Sequence, residues 1–153
     1  MSRLGGRARR ARPVILLAVV ATTLALATAD VMAQTLENTA SAVAAAWANS
    51  SLRDLEALLD PAGSLFEVEG REHIALTPSR VVAAVADLRR GHVSGNVRVV
   101  RAVDVGGEPN QAFLELAWDT IEDGTSEPHE RRVYFGLTMR GGRFWITEIR
   151  IFS

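Results

Sequence analysis

Glu148 and Arg150 are the two charges inside a largely apolar terminal stretch, Phe144 to Phe152. Two positions apart on a strand, they project to the same side. There, a carboxylate beside a guanidinium can anchor a polar ligand group, or serve as a general acid tuned by its neighbour. The same pair at a sheet rim is an ordinary exposed ion pair. Tyr134 is the one tyrosine, and His73, His92 and His129 stand 19 and 37 residues apart, without the spacing of metal ligands. Glu115 and Asp119 share a strand face and suit a cross-strand pair with arginine, Asp119 being a second candidate acid or base. Every basic residue is arginine and there is no cysteine. That excludes Schiff-base chemistry, P-loop nucleotide binding, thiolate nucleophiles, cysteine metal sites and disulfides. Neither a cofactor nor a metal is expected.

The element that must position Glu148 and Arg150 is a hairpin, Arg132 to Arg140 and Arg143 to Phe152, joined by Gly141-Gly142. A two-residue glycine connection suits a tight primed turn, whose central residues need positive φ. Counting back from that turn, Arg140 faces Arg143, Met139 faces Phe144, Leu137 faces Ile146, Phe135 faces Glu148 and Val133 faces Arg150. The expected face thus joins Glu148 and Arg150 to Phe135, and these three are the candidate ligand-binding residues. Tyr134 falls opposite Ile149, on the other face. Both faces are apolar enough to want cover.

Upstream, residues 1–33 are laid out as a secretory signal: five arginines, an uncharged run from Val14 to Ala29, then small residues. Cleavage fits after Ala29 or after Ala33, the second preferred. The run falls short of the roughly 20 residues of a membrane span, so an uncleaved anchor is the lesser alternative. The protein is then periplasmic or secreted, or membrane-anchored if the segment stays. Removing it leaves 12 basic against 17 acidic residues. Such a surface offers nucleic acid or an anionic membrane no counter-charge. Residues 34–153 make one domain of ordinary size.

Within it, Leu36, Ala40, Val43, Ala44 and Trp47 form a helical stripe. Ser51 and Asp54 form a capping box for a second helix. A short strand, Leu65 to Glu69, and a polar link through His73 precede a helix that Thr77-Pro78 opens and Gly91 closes. From Asn96 the period becomes two: Val97, Val99, Arg101, Val103 and Val105 on one side, then Gln111 to Ile121, then the hairpin. Trp47, Trp118 and Trp145 read as core packing first and cavity lining second. Helices followed by a meander of strands imply α+β, with the helices on one face of a curved, mainly antiparallel sheet.

This order, with Ala46-Trp47, Asp54 to Asp60 and the ending Gly142 to Ile151, resembles the nuclear transport factor 2-like superfamily, in an uncharacterised exported branch. The resemblance implies a cone-shaped α+β fold, a pocket between helices and sheet, and dimerisation through the other sheet face. Enzymes of that superfamily hold a tyrosine or acids in the pocket; with Tyr134 and Glu148 expected on opposite faces, a Tyr/Glu pair acting on one substrate is not expected, which weighs against an isomerase. The expected function is a non-catalytic exported binding or interaction module, with a small apolar ligand or a second copy as partner. The alternative is a cofactor-free isomerase, cyclase or hydrolase using a pocket carboxylate.

Overall fold

A computed structural model describes residues 35–153; the signal segment and both cleavage sites lie outside the described residues. Helix α1 covers residues 35–48. Of its expected stripe, Leu36, Ala40, Val43 and Trp47 are buried and Ala44 is partly buried, while Ala46 joins the buried side. After the Asn49-Ser50 turn comes α2 (Leu52–Leu58). Ser51 caps it, its hydroxyl donating to Asp54 Oδ2 and accepting from the Asp54 amide at 3.4 Å. Strands β1 (Ser64–Val68) and β2 (Arg71–Leu76) follow, then α3 (Pro78–Arg90), which buries Val81, Val82 and Val85. The chain ends with β3 (His92–Gly106), β4 (Gln111–Glu122), β5 (Pro128–Arg140) and β6 (Arg143–Phe152).

The six strands form one sheet in the order β2-β1-β6-β5-β4-β3. All neighbours are antiparallel except β1 and β6, which run parallel. Strand β2 lies where a polar link was expected. At the outer edge of a sheet a strand need bury neither face, so Arg71, Glu72 and His73 can pair with β1 without the apolar alternation that marks inner strands.

One sheet face carries the helices. Leu114, Leu116, Trp118, Val133, Phe135, Leu137, Phe144, Ile146, Ile149 and Ile151 are buried there with the stripes of α1, α2 and α3. The edges of Trp47 meet Trp118 and Phe135 at centroid distances of 5.6 and 5.5 Å, the edge-to-face packing aromatic rings favour.

Bulges, one in the hairpin and others along β3, change the faces expected from simple alternation. Next to the turn the pairing is as read: Arg140 with Arg143, Met139 with Phe144, Leu137 with Ile146. Then Gly136 pairs with Glu148, which leaves Thr147 as one extra residue on β6. Beyond it Phe135 faces Ile149, Tyr134 faces Arg150 and Val133 faces Ile151, which corrects the expected partners Glu148 and Arg150. The straight ladder would bury Glu148 and Arg150 under the helices and turn Ile149 and Ile151 outward. Burying ions costs several kcal/mol each, more than one unpaired residue. The Thr147 hydroxyl also donates to the Gly136 carbonyl at 3.2 Å, which ties the bulge down. The bulge at Val100 in β3 puts Val97, Val99 and Ala102 on the helix side with their β4 partners, and Arg98, Arg101 and Val103 on the other. Five exposed valines, Val93, Val99, Val100, Val103 and Val105, lie along this edge strand.

Candidate functional site

The side chains of the helix-free sheet face build the candidate site. The corrected register brings Tyr134 from β5 beside Glu148 and Arg150 from β6. Phe113 from β4 and Phe152 flank Tyr134 in an aromatic row, with centroid distances of 5.5 and 5.7 Å. Arg132 and Ser153 complete a concavity of about 590 Å³. Gly136 keeps its floor low. A Cβ there would come within 3.0 Å of the Glu148 Cβ and 3.1 Å of its Oε2, so glycine lets that carboxylate lie across β5.

The charges around the aromatic row are paired. Arg150 donates to Glu148 and reaches Glu67 at 3.0 Å. The hydrogen bond and charge of Glu148 push the Arg150 guanidinium above its ordinary range. Arg132 bonds Glu115 at 3.0 Å and Glu130 at 2.7 Å, and Arg101 approaches Glu115 at 3.5 Å. Glu115 thus has the cross-strand arginines expected of it. The Glu148 side chain keeps 35% of its surface in water, so it lacks the dry setting that sharpens a catalytic acid. The Tyr134 ring is held by its two aromatic neighbours, and its hydroxyl has no hydrogen-bond partner among the described residues.

Of the three expected ligand-binding residues, the structure brings together Glu148 and Arg150 and separates Phe135. Phe135 is wholly buried on the helix side, and the Thr147 bulge turns Glu148 and Arg150 away from it to the other face. Tyr134, Phe113, Phe152 and Arg132 are the members that sequence reasoning missed. The signal for them was in β6 itself, where Ile149 and Ile151 alternate with Glu148 and Arg150 and demand the inside.

The space between helices and sheet, where the resemblance implied a pocket, holds Trp47, Trp118, Phe135 and Phe144, each at most 2% exposed. Arg89 closes one end. Its guanidinium lies 4.9 and 5.3 Å from the Trp47 and Trp118 ring centres and donates to the Ser50 hydroxyl and the Trp47 carbonyl. Burial pulls the Arg89 pKa down. Asp119 lies partly exposed on the opposite face from Trp118 and joins neither group.

A second charged cluster sits beyond Arg89. Arg131, 8% exposed, bonds Glu69 at 3.3 Å, Glu122 at 3.5 Å and His92 at 3.1 Å. These residues border a concavity of about 390 Å³. The Ser153 hydroxyl, donating at 2.8 Å, and then the charge of Arg131 hold the Glu69 carboxyl below the usual range. A depressed carboxyl pKa stabilises the fold above the unfolded-state pKa and loses that contribution as pH falls through the folded one. Glu69→Gln is therefore expected to narrow slightly the gap between urea midpoints at neutral and strongly acid pH, an unchanged gap counting against the pairing; the group is more than half exposed, so the effect is small. His73 and His129 are exposed. Among the described residues no group of three or more His, Asp or Glu side chains is placed to hold a metal ion.

No protein-family model matches the sequence. No curated protein matches it either. Solved structures do. A DUF4783 family protein from Bacteroides ovatus aligns at 17% identity and TM-score 0.59, covering 72% of this chain and 90% of that one. A protein with a ketosteroid isomerase-like fold from Catenulispora acidiphila, in complex with trimethylamine, aligns at 17% identity and TM-score 0.58, covering 75% and 84%. A ketosteroid isomerase-like protein from Erwinia carotovora atroseptica reaches TM-score 0.63 at 14% identity, covering 77% and 92%. At such identities the likeness speaks for the fold alone. The chain has the nuclear transport factor 2-like fold, an α+β cone of helices on a mixed six-stranded sheet.

Proposed function

We propose that this protein is an exported, non-catalytic binding module that works through the helix-free face of its sheet. One observation carries the reading. The space under the helices is filled by aromatic side chains, while the opposite face keeps a concavity of about 590 Å³ floored by Phe113, Tyr134 and Phe152. An aromatic floor with a rim of paired charges suits a small, flat, apolar ligand. The free Tyr134 hydroxyl can bond a ligand acceptor, and Glu148 with Arg150 can orient it. The trimethylamine complex of a structural neighbour is compatible with small-molecule binding on this fold. A second copy of the chain, face to face, is the other occupant this surface suits, since aromatic rings and arginine are enriched in such interfaces.

The test is native mass spectrometry of the protein purified from its own envelope fraction. A retained small molecule is expected, lost in Glu148→Gln, with stability changed by no more than about 1 kcal/mol because the ion pair is open to water. Retention that survives this change removes Glu148 from the site. An apo dimer points to the second copy.

The shared face of Tyr134 and Glu148 favours one further reading, a cofactor-free isomerase, cyclase or hydrolase. It requires turnover of the retained molecule that Tyr134→Phe and Glu148→Gln each lower by about 10² to 10⁴-fold, the range for a lost acid or base. The open, ion-paired state of Glu148 weighs for binding without catalysis.

A further inference from the structure

We propose that the contact between His92 and Arg131 is a proton-operated latch at the corner where α3 enters β3. A guanidinium can only donate. His92 Nε2, 3.1 Å from Arg131 Nη2, must then be the bare acceptor nitrogen. The ring proton is on Nδ1, which donates to the Leu88 carbonyl at 2.8 Å, so two partners fix one neutral tautomer. A proton arriving on Nε2 sets two donors and two positive charges face to face. Glu122 stands ready as the replacement, its Oε1 lying 3.9 Å from Nε2 and 3.5 Å from Arg131.

The protonated ring turns to Glu122, and Arg131 loses one of its three partners. Its Nε has no acceptor among the described residues, so this buried guanidinium is left with Glu69 and Glu122 alone. The groups facing His92 come from every neighbouring element. Arg131 from β5 and Arg89 from α3, packed on Trp118, oppose the proton. Glu122 and Asp123 at the end of β4, with Glu69 from the β1–β2 turn, favour it. Breaking the contact loosens the junction of α3, the end of β4 and the β1–β2 turn around the smaller concavity.

The test is an NMR titration of the isotope-labelled protein between about pH 8 and pH 5, where imidazoles commonly change charge. The readouts are the Trp118 indole N–H, whose ring centre lies 6.3 Å from that of His92, and the Arg131 Nε–H. Both signals are expected to shift with a single inflection shared by the His92 ring, which is identified by its disappearance in His92→Gln. In His92→Gln, whose amide can still donate to Leu88 and accept from Arg131, neither signal should titrate. Glu122→Gln should move the inflection to lower pH. A His92 ring that gains its proton while Trp118 and Arg131 stay still would overturn the proposal. So would equal shifts in His92→Gln, or a ring that remains neutral through the whole range.

Discussion

Trp118→Ala is expected to cost about 3–5 kcal/mol, the usual range for truncating a buried tryptophan. The ring is fully buried at the meeting point of α1, α3 and the sheet, and it supports Trp47, Arg89 and His92. Its indole N–H has no acceptor among the described residues, so truncation also removes an unsatisfied buried donor, worth about 1–3 kcal/mol, and the net loss should fall toward the lower end. Trp118→Phe fills most of the same space without that donor and should lose much less. Urea unfolding of the two variants measures the difference. A loss below about 1 kcal/mol for Trp118→Ala would mean that the space under the helices is not closely packed. That outcome would return the inner face to the search for a pocket.

Ile149→Glu is expected to abolish the folded state. Ile149 is fully buried opposite Phe135. The change removes roughly 1.5–3 kcal/mol of apolar burial and adds an unpaired buried carboxylate, which costs several more, against a total stability of about 5–15 kcal/mol. In a straight ladder Ile149 would instead lie outside, next to Tyr134, and glutamate would be tolerated. The variant therefore discriminates the two registers. Loss of near-ultraviolet circular dichroism and of amide dispersion is the expected result, and a stable, dispersed Ile149→Glu protein would sink the bulged register. Deleting Thr147 is the matching control. Without the extra residue Ile146 and Glu148 become neighbours, still opposite Leu137 and Gly136, so every later side chain keeps its face and the protein should fold.

The hairpin shows where sequence reasoning held and where it stopped. Its glycine turn dictated the first pairs, because a tight turn leaves no freedom beside it. Further along, the turn count and the chemistry of β6 disagree, and the chemistry prevails: isoleucines inside, ions outside. That disagreement was visible in Ile149 and Ile151, and it decides whether Tyr134 meets Glu148. Helix α3 was legible from Thr77, Pro78 and Gly91, since its caps are local. Strand β2 was not, because an edge strand of Arg, Glu and His is held by pairing with β1 rather than by its own pattern. The roles of Arg89 and Arg131 were not legible either. Nothing local told that one would lie against two tryptophans and the other among Glu69, His92 and Glu122, residues far apart in the chain.

The bulged edge strand β3 also bears on how this protein behaves when crowded. An unpaired edge lined with valines is a template onto which a misfolded neighbour can add, and segments of roughly six or seven residues are enough to seed a fibril. Here the register breaks between Ser94 and Val97, at Val100 and again before Gly106. Only the short runs His92 to Ser94, Val97 to Val99 and Arg101 to Asp104 remain regular, and Arg98, Arg101 and Asp104 put charge into the last two. The strand is thereby long enough to frame the sheet yet too interrupted to recruit copies of itself into an aggregate.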